Sequence, residues 1–255
     1  MPEAWVPAGL VALGLFAGLL SGAFGIGGGV VMAPALRGLF GLPVLEALAT
    51  PLLTMLPTAL VATVRHARAR ALPWRGVLIA AAIGMPVAVL SAMGTDRLPG
   101  RWLMNALLVL VATIGVDYAS GAWARRRVRA PGTPVARPGW AYGGLGLMVG
   151  VVSGGLGLGG GIVALPALTA MGQSMHQAIG QSLLLVALVA IPSAGTHAWL
   201  GHVDGRTALW LVLGLLPGSW AGAGWSARVK ESHLVRVLGV LLVLVAMATA
   251  VREGR

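Results

Sequence analysis

Two stretches of this chain repeat each other, and both are apolar segments interrupted by glycine. Residues 14–36 and 146–168 superimpose at an offset of 132 and are identical at 13 of 23 positions. Each contains the pattern GxGGG, with a proline five residues after its last glycine. A glycine-interrupted hydrophobic segment at corresponding places in two halves is the sequence pattern of a transporter built from internal repeats. We therefore expect two copies of one membrane unit.

The composition excludes a soluble globular domain. Hydrophobic residues make up 57% of the chain and charged residues 10%, and the mean hydropathy is +0.87, whereas soluble domains carry about 25% charged residues. A membrane-spanning helix needs roughly 20 apolar residues. Apolar runs that approach or exceed this length cover residues 6–24, 45–64, 77–93, 102–116, 145–171, 179–199, 209–225 and 234–251. The first run is expected to be retained rather than cleaved, because the repeat begins inside it and no basic flank precedes it.

The net charge of +11 has a membrane explanation. Most arginines cluster in short stretches such as residues 65–70 and 124–129, and loops of this kind are typical of the cytoplasmic side of membrane proteins. We therefore expect a lipid bilayer, and no nucleic acid, as the partner of this chain. The chain contains no cysteine, which excludes disulfides and thiolate metal sites; no metal and no cofactor is predicted.

The internal resemblance continues beyond the glycine segments. His66 aligns with His197, Arg75 with Arg206, and Pro86 with Pro217, after a one-residue shift. The predicted organisation is a first membrane repeat over residues 1–123, a cytoplasmic linker rich in Arg and Pro over residues 124–139, and a second membrane repeat over residues 140–255. Each repeat is expected to be a glycine-broken segment followed by three helices, in an all-α polytopic fold.

Two arrangements of the repeats are open. If each glycine segment crosses the membrane once, the repeats are parallel; if each breaks into two pieces, the number of crossings per half is odd and the repeats are inverted. The distribution of basic residues does not decide, since either arrangement places 12 of the 18 on the cytoplasmic side. We favour the inverted repeat, because each glycine costs a helix about 1 kcal/mol relative to alanine, and a broken backbone must face protein or water.

The glycine breaks are candidates for an anion site. The N-terminus of a helix carries a partial positive charge and binds anions through its backbone N–H groups, and glycine lets a ligand approach the backbone closely. Serine and threonine hydroxyls and a glutamine side chain lie nearby in the sequence. The candidate substrate-binding residues are Ser21, Gly25, Gly27, Gly28, Gly29, Thr50, Ser153, Gly157, Gly159, Gly160, Gly161, Gln181 and Ser182.

The glycines that precede each break have a different interpretation. Gly14, Gly18 and Gly22 are spaced by four residues, which is typical of close helix packing in membranes. The alternative for the whole segment is that every glycine serves packing and none binds substrate. Four glycines in five positions exceed what packing requires, and this favours binding for the later group.

His66 and His197 lie at equivalent helix ends, where they are candidates for gating or proton sensing, or for a structural role. His197 and His202 are five residues apart and do not share a helix face, so they are a poor metal pair. A nucleotide-binding GxGxxG is disfavoured because no strand precedes it. A serine protease that uses Ser153 is disfavoured because the duplicate serine and histidine of the first half would be unexplained. The chain is therefore predicted not to be an enzyme.

The doubled pattern SGxxGxGGGxxxxPAL, at residues 21–36 and 153–168, resembles the TauE/SafE sulfite-exporter family of membrane transporters. The AxxxSL run at residues 178–183 and His197 are similar to that family as well. The first half departs from the pattern, with Thr50 and Pro51 where the second half has Gln181 and Ser182. The resemblance implies a multi-pass protein of the bacterial inner membrane that moves sulfite or an organosulfonate, as an exporter.

Two further expectations complete the sequence-based account. A homodimer is possible for a chain of this size. The rival function is a membrane-embedded assembly protein that uses its glycine faces for helix docking only.

Overall fold

The structure is a computed structural model, and it describes residues 5–69, 74–120, 139–229 and 231–253. Within these ranges the chain contains ten α-helices, one 3-10 turn at Thr95–Arg97 and no strand, which confirms the all-α fold class. The helices are α1 (Trp5–Phe24), α2 (Gly29–Phe40), α3 (Val44–Ala69), α4 (Trp74–Gly94), α5 (Gly100–Ala119), α6 (Gly139–Leu156), α7 (Gly161–Ala170), α8 (Met175–Trp199), α9 (Gly205–Ser226) and α10 (Glu231–Glu253). The predicted linker lies outside the described residues except for Gly139.

Seven of the described helices, namely α1, α3, α4, α5, α6, α8 and α9, are long and apolar enough to cross a membrane. Many large apolar side chains point outward, among them Leu90 and Val109. An outer surface of this kind fits contact with lipid and not with water. The prediction of a multi-pass membrane protein is confirmed.

Each glycine segment is broken into two helices, as expected. In the first half α1 ends at Phe24 and α2 begins at Gly29, and Gly25 and Gly27 between them have positive φ angles of 68° and 74°. The ring of Phe40 at the end of α2 stacks on Trp5 at the start of α1, with centroids 5.6 Å apart. α2 therefore returns alongside α1, and the pair forms a helical hairpin whose tip is the glycine break.

The glycines spaced by four pack against a helix of the other half. A Cβ on Gly18 would lie 2.5 Å from the carbonyl oxygen of Leu215 in α9, so α1 and α9 lie too close for any side chain there. In the second half, Gly150 of α6 is equally close to Gly84 of α4. Packing was the predicted role of these early glycines, and the contacts confirm it.

The register of these contacts gives the helix directions. Gly14, Gly18 and Gly22 contact Leu211, Leu215 and Ser219 in that order, so α1 and α9 run parallel. Gly146, Gly150 and Gly154 contact Ala80, Gly84 and Ala88 in that order, so α6 and α4 are also parallel.

α3 and α8 form the centre of the bundle. Of their span residues 67% and 72% are buried, against 33–50% in the other spans. The side chains of Met55 in α3 and Val186 in α8 both lie against Gly159. The remaining helices surround this pair, and the glycine breaks pack directly onto it.

Candidate functional site

The two glycine breaks are buried and have a backbone that other residues rarely adopt. In the second half Gly157, Gly159 and Gly160 have φ angles of 65°, 65° and 76°. A Cβ on Gly25 would lie 2.8 Å from the carbonyl oxygen of Ile179 in α8. Positive φ and the lack of space together explain the need for glycine at these positions.

The breaks also contact each other. A Cβ on Gly161, the first residue of α7, would lie 2.6 Å from the carbonyl oxygen of Gly25. A Cβ on Gly29, the first residue of α2, would lie 3.0 Å from the carbonyl oxygen of Gly157. The N-termini of the two half-helices therefore meet inside the protein, at what we call the crossing, defined by residues 25–29 and 157–161.

Both helix N-termini are capped by glycine, Gly28 and Gly160, and so carry no capping side chain. The first intrahelical hydrogen bonds begin at Val31 and Val163, which donate to Gly28 O (3.2 Å) and Gly160 O (3.1 Å). The N–H groups before them are those that helix geometry leaves without an intrahelical acceptor. Each N-terminus carries roughly +0.5 elementary charge, so the crossing has about one positive charge.

Ser182 of α8 lies beside the crossing, and Gln181 precedes it in the same helix. The Ser182 hydroxyl donates to Gly25 O (2.7 Å) and more weakly to Gly161 O (3.4 Å), and thereby joins the two breaks. Gln181 is 1% exposed, and neither atom of its side-chain amide has a hydrogen-bond partner among the described residues. An unpaired buried polar group costs about 1–3 kcal/mol, so a polar ligand that forms hydrogen bonds with this amide would remove that cost.

Ser21 and Ser153 occupy equivalent positions one turn before each break. Their carbonyl oxygens accept from Gly25 N (2.8 Å) and Gly157 N (3.2 Å) and so end α1 and α6. The Ser153 hydroxyl is fully buried and unpaired within the described part of the chain. It is a second candidate donor to a ligand.

Thr50 lies apart from Gln181, although the two align in the repeat. The Thr50 hydroxyl accepts from the backbone N–H of Asp204 (3.1 Å), at the start of α9. Thr50 and Gln181 lie five residues from Met55 and Val186 respectively, on opposite sides of the centre. At 1.5 Å per residue this separates them by about 15 Å along the bundle. Thr50 lies near the second break, because Leu48, two residues before it, contacts Gly157, just as Ile179, two residues before Gln181, contacts Gly25.

His66 and His197 occupy matching positions. His66 Nε2 donates to Gly22 O (3.1 Å), and His197 Nε2 donates to Gly154 O (2.8 Å). Each histidine thus holds the last turn of the helix that leads into a glycine break. Both are buried, and neither lies among the residues of the crossing.

His202 and Asp96, which sequence reasoning did not identify as functional, extend the contact of His197 with Gly154. His202 Nδ1 lies 3.2 Å from His197 Nδ1, and His202 Nε2 lies 2.8 Å from a carboxylate oxygen of Asp96. The expectation that His197 and His202 face apart was wrong, because α8 ends at Trp199 and Gly201, with φ 78°, turns the chain back. The described residues contain no group of three or more acidic, histidine or cysteine side chains that could hold a metal ion.

Spanning helices, two buried half-helices and an enclosed polar crossing define a polytopic membrane protein of the transporter type. The chain belongs to the Sulfite exporter TauE/SafE family, whose sequence model matches residues 10–249. The resemblance inferred from the doubled motif is thus confirmed, and the chain is a membrane transporter of this family.

Three curated relatives of the chain are also named as probable membrane transporters. The chain is 27% identical to a "Probable membrane transporter protein" of Haemophilus influenzae, with 92% of this chain and 94% of the relative covered. It is 24% identical to the probable membrane transporter protein YunE of Bacillus subtilis, over 92% of this chain and 94% of the relative. A probable membrane transporter protein of Methanocaldococcus jannaschii is 23% identical over 91% of each chain. No solved structure shows significant similarity to the chain.

Proposed function

We propose that this transporter moves a small sulfur-containing anion, sulfite or an organosulfonate, and binds it at the crossing. The observation that carries the proposal is the unpaired and buried amide of Gln181, in the turn of α8 that contacts Gly25 through Ile179 and Ser182. An oxyanion would accept hydrogen bonds from the amide nitrogen and from backbone N–H groups, and its charge would meet the positive ends of α2 and α7. The family description, which names sulfite export, agrees with this substrate class.

The charge of the crossing favours a monovalent anion. Two helix N-termini supply about one positive charge. The buried polar residues in the described ranges are Ser, Thr, His and Gln, without Asp, Glu, Lys or Arg. Cation sites inside membranes are normally built from carboxylates, and the absence of carboxylates from this buried set favours an anion as the substrate.

The candidate residues take different roles in this proposal. The glycines of both breaks (Gly25, Gly27, Gly28, Gly29, Gly157, Gly159, Gly160 and Gly161) form the backbone cradle, and Gln181 and Ser153 offer side-chain donors. Ser182 holds the two breaks together, and Ser21 ends α1. Thr50, whose hydroxyl accepts from the backbone N–H of Asp204, is proposed to lie at the second break, on the opposite side of the centre from Gln181.

We also propose an inverted repeat. α3 begins where α8 ends, since Thr50 accepts from Asp204 beyond the end of α8, while His66 near the end of α3 and Ser182 near the start of α8 both contact the tip of α1. The equivalent helices therefore lie antiparallel. In the first half α2 returns alongside α1 to the side on which α1 begins, so that α3, α4 and α5 give an odd number of net crossings, which supports the same conclusion.

The distribution of basic residues indicates which end of this arrangement faces the cytoplasm. By the sequence count for inverted repeats, 12 of the 18 basic residues belong to one end, which is the end of the described residues Arg65, Arg75, Arg228 and Arg236. The positive-inside rule makes this end cytoplasmic. A potential of about 100 mV, negative inside, then favours exit of a monoanion by roughly 2.3 kcal/mol, which supports export across the inner membrane.

Flux in proteoliposomes tests the proposal. Sulfite, methanesulfonate, sulfate and chloride are offered to the wild type, to Gly28→Leu and to Gly195→Leu. A Cβ at Gly28 would meet only side-chain atoms, the nearest at the flexible end of Met32, whereas Gly195 on α8 is exposed with open space around it. We expect flux of a sulfur oxyanion that Gly28→Leu abolishes and Gly195→Leu keeps.

Two results would count against the proposal. Full flux in Gly28→Leu would remove the backbone cradle. Absence of flux for every anion, together with co-purification of a partner protein, would favour the assembly function.

A further inference from the structure

Three ionisable side chains join the end of α8 to the solvent. Asp96, in the 3-10 turn after α4, has a side chain that is 48% exposed, and it contacts His202, whose side chain is 11% exposed. His202 contacts His197, which is 2% exposed and bonded to Gly154 O. The contacts form a continuous line from the surface to the last turn of α6, just before the second glycine break.

The hydrogen bonds in this line fix the number of protons. The bonds from Asp96 to His202, from His202 to His197 and from His197 to Gly154 O require one proton each, three in all. Two neutral imidazoles carry only two. The third proton resides either on the imidazole pair, beside an ionised Asp96, or on the Asp96 carboxyl. In both states a proton lies between the two Nδ1 atoms, and the net charge of the three side chains is zero.

Loss of the third proton has a local consequence. With two protons and an ionised Asp96, one of the three bonds loses its hydrogen, and two lone pairs face each other in a buried place. Such an arrangement is repulsive and leaves polar atoms unpaired. The line described here is therefore the proton-loaded form, and its release of a proton would loosen the contact of His197 with α6.

Among the described residues, the matching place in the first half shows no such line. His66 holds Gly22 O, but its ionisable neighbours are Arg65 and His176, and neither supplies a carboxylate. His176 itself contacts Ser226 O (3.1 Å). The two halves thus differ at the histidine ends, and His66 is the matched control for His197.

The other ionisable groups at the Asp96 end are accounted for. Glu46 lies in the first turn of α3, and Arg97 and Arg101 follow Asp96 in the chain. Asp204 accepts from the backbone N–H of Arg206 (3.0 Å) and from the Thr207 hydroxyl (2.5 Å) at the start of α9. α7 and the last two turns of α4 and of α6 carry no ionisable side chain, and Tyr142 of α6 lies at the other end of that helix, beside Gly76. The groups that act directly on His197 are His202 and Asp96.

We propose that Asp96, His202 and His197 bind one transported proton, which is exchanged with the outer side and coupled to movement of the anion. The proposal rests on the transport function above. Because His197 holds the turn that precedes the second break, loading and release of this proton bias the position of one wall of the crossing. One proton is expected to move for each anion.

Accumulation driven by a proton gradient tests the coupling. Proteoliposomes receive methanesulfonate, because a sulfonate stays ionised at every pH used, and the potential is clamped at zero. With one proton per anion, a gradient of one pH unit supports about a tenfold anion gradient, since each pH unit is a tenfold change in proton activity. Each result is divided by the same variant's rate of anion exchange without a gradient.

The variants separate the site from a general effect. Wild type and His66→Gln are expected to reach about tenfold accumulation. His197→Gln removes a titrating group, and Asp96→Asn donates to His202 as a protonated Asp96 would, so both are expected to exchange anion without accumulation. Exchange without accumulation in the wild type, accumulation in His197→Gln, or equal loss in His66→Gln would overturn the proposal.

A second measurement decides the proton site even if methanesulfonate is not transported. Protein with ¹⁵N-labelled histidine in nanodiscs is expected to show a scalar coupling between the Nδ1 atoms of His197 and His202, because a proton lies between them. His202→Gln removes it. Absence of this coupling in the wild type would overturn the proton site, whereas its presence without any anion flux would place the failure in the proposed transport function alone.

Discussion

Replacement of Gln181 by methionine is expected to stabilise the empty protein and to abolish anion transport. Most substitutions of a buried residue do the opposite and destabilise. The expectation follows from the amide, which is 1% exposed and has no hydrogen-bond partner among the described residues. Methionine keeps the length of the side chain and removes both unpaired polar atoms.

The size of the effect can be worked out. Each unpaired buried polar group costs about 1–3 kcal/mol, and two are removed. A volume-conserving replacement costs less than about 1.5 kcal/mol. The free energy of unfolding is therefore expected to rise by at least about 0.5 kcal/mol. Ser182→Ala is the matched control on the adjacent position, because it breaks the 2.7 Å bond to Gly25 O and should lower stability by about 0.5–1.5 kcal/mol.

Thermal unfolding in nanodiscs, followed by tryptophan fluorescence, measures both effects. In the wild type an anion at about 100 times its dissociation constant should add about 2.7 kcal/mol, whereas Gln181→Met should unfold at a higher temperature without anion and show no response to it. A variant that is less stable than wild type, or that still responds to sulfite or methanesulfonate, would refute the role assigned to this amide.

Two further predictions concern packing and topology. Gly22→Ala should destabilise the protein strongly, because the added Cβ would overlap the backbone of Ser219. Gly195→Ala, where a Cβ meets nothing within 4 Å, should be neutral or gain up to about 1 kcal/mol of helix propensity. Unfolding of the two variants in detergent measures the difference, and equal stability would contradict the packing. Single cysteines at Val203 and Val229, in a chain without native cysteine, should be labelled from outside and inside the cell respectively by an impermeant maleimide. Labelling of Val203 from the inside and of Val229 from the outside would contradict the inverted repeat.

Much of the fold could be predicted because its signals are local or repeated. Hydropathy located the spans, and the dense glycines of residues 25–29 located the break, since helix propensity alone disfavours a continuous helix there. The spacing of Gly14, Gly18 and Gly22 identified the packing face, although not its partner α9, which comes from the other half of the chain.

The helix directions could not be predicted, because the basic residues divided equally between both arrangements. The directions follow from contacts at the ends of α3 and α8, which join residues that are far apart in the sequence. The same holds for Thr50 and Gln181, which align in the repeat, whereas the proposed antiparallel arrangement of α3 and α8 places them on opposite sides of the centre.

The line from Asp96 to His197 was missed for a related reason. Helix periodicity predicts that residues five apart face different directions, and this excluded His197 and His202 as a pair. The end of α8 at Trp199 and the positive φ of Gly201 remove His202 from the helix. Asp96 belongs to the other repeat, and no local pattern connects it with His202.

The position of a bound anion tests the central claim most directly. Selenite, the selenium analogue of sulfite, can be located by anomalous scattering in crystals of the protein. The account predicts a selenium peak beside the Gln181 amide, at hydrogen-bond reach of the selenite oxygens and next to Gly29 and Gly161, and predicts that the peak is absent in Gln181→Met. A peak away from the crossing, or one that persists in Gln181→Met, would contradict it.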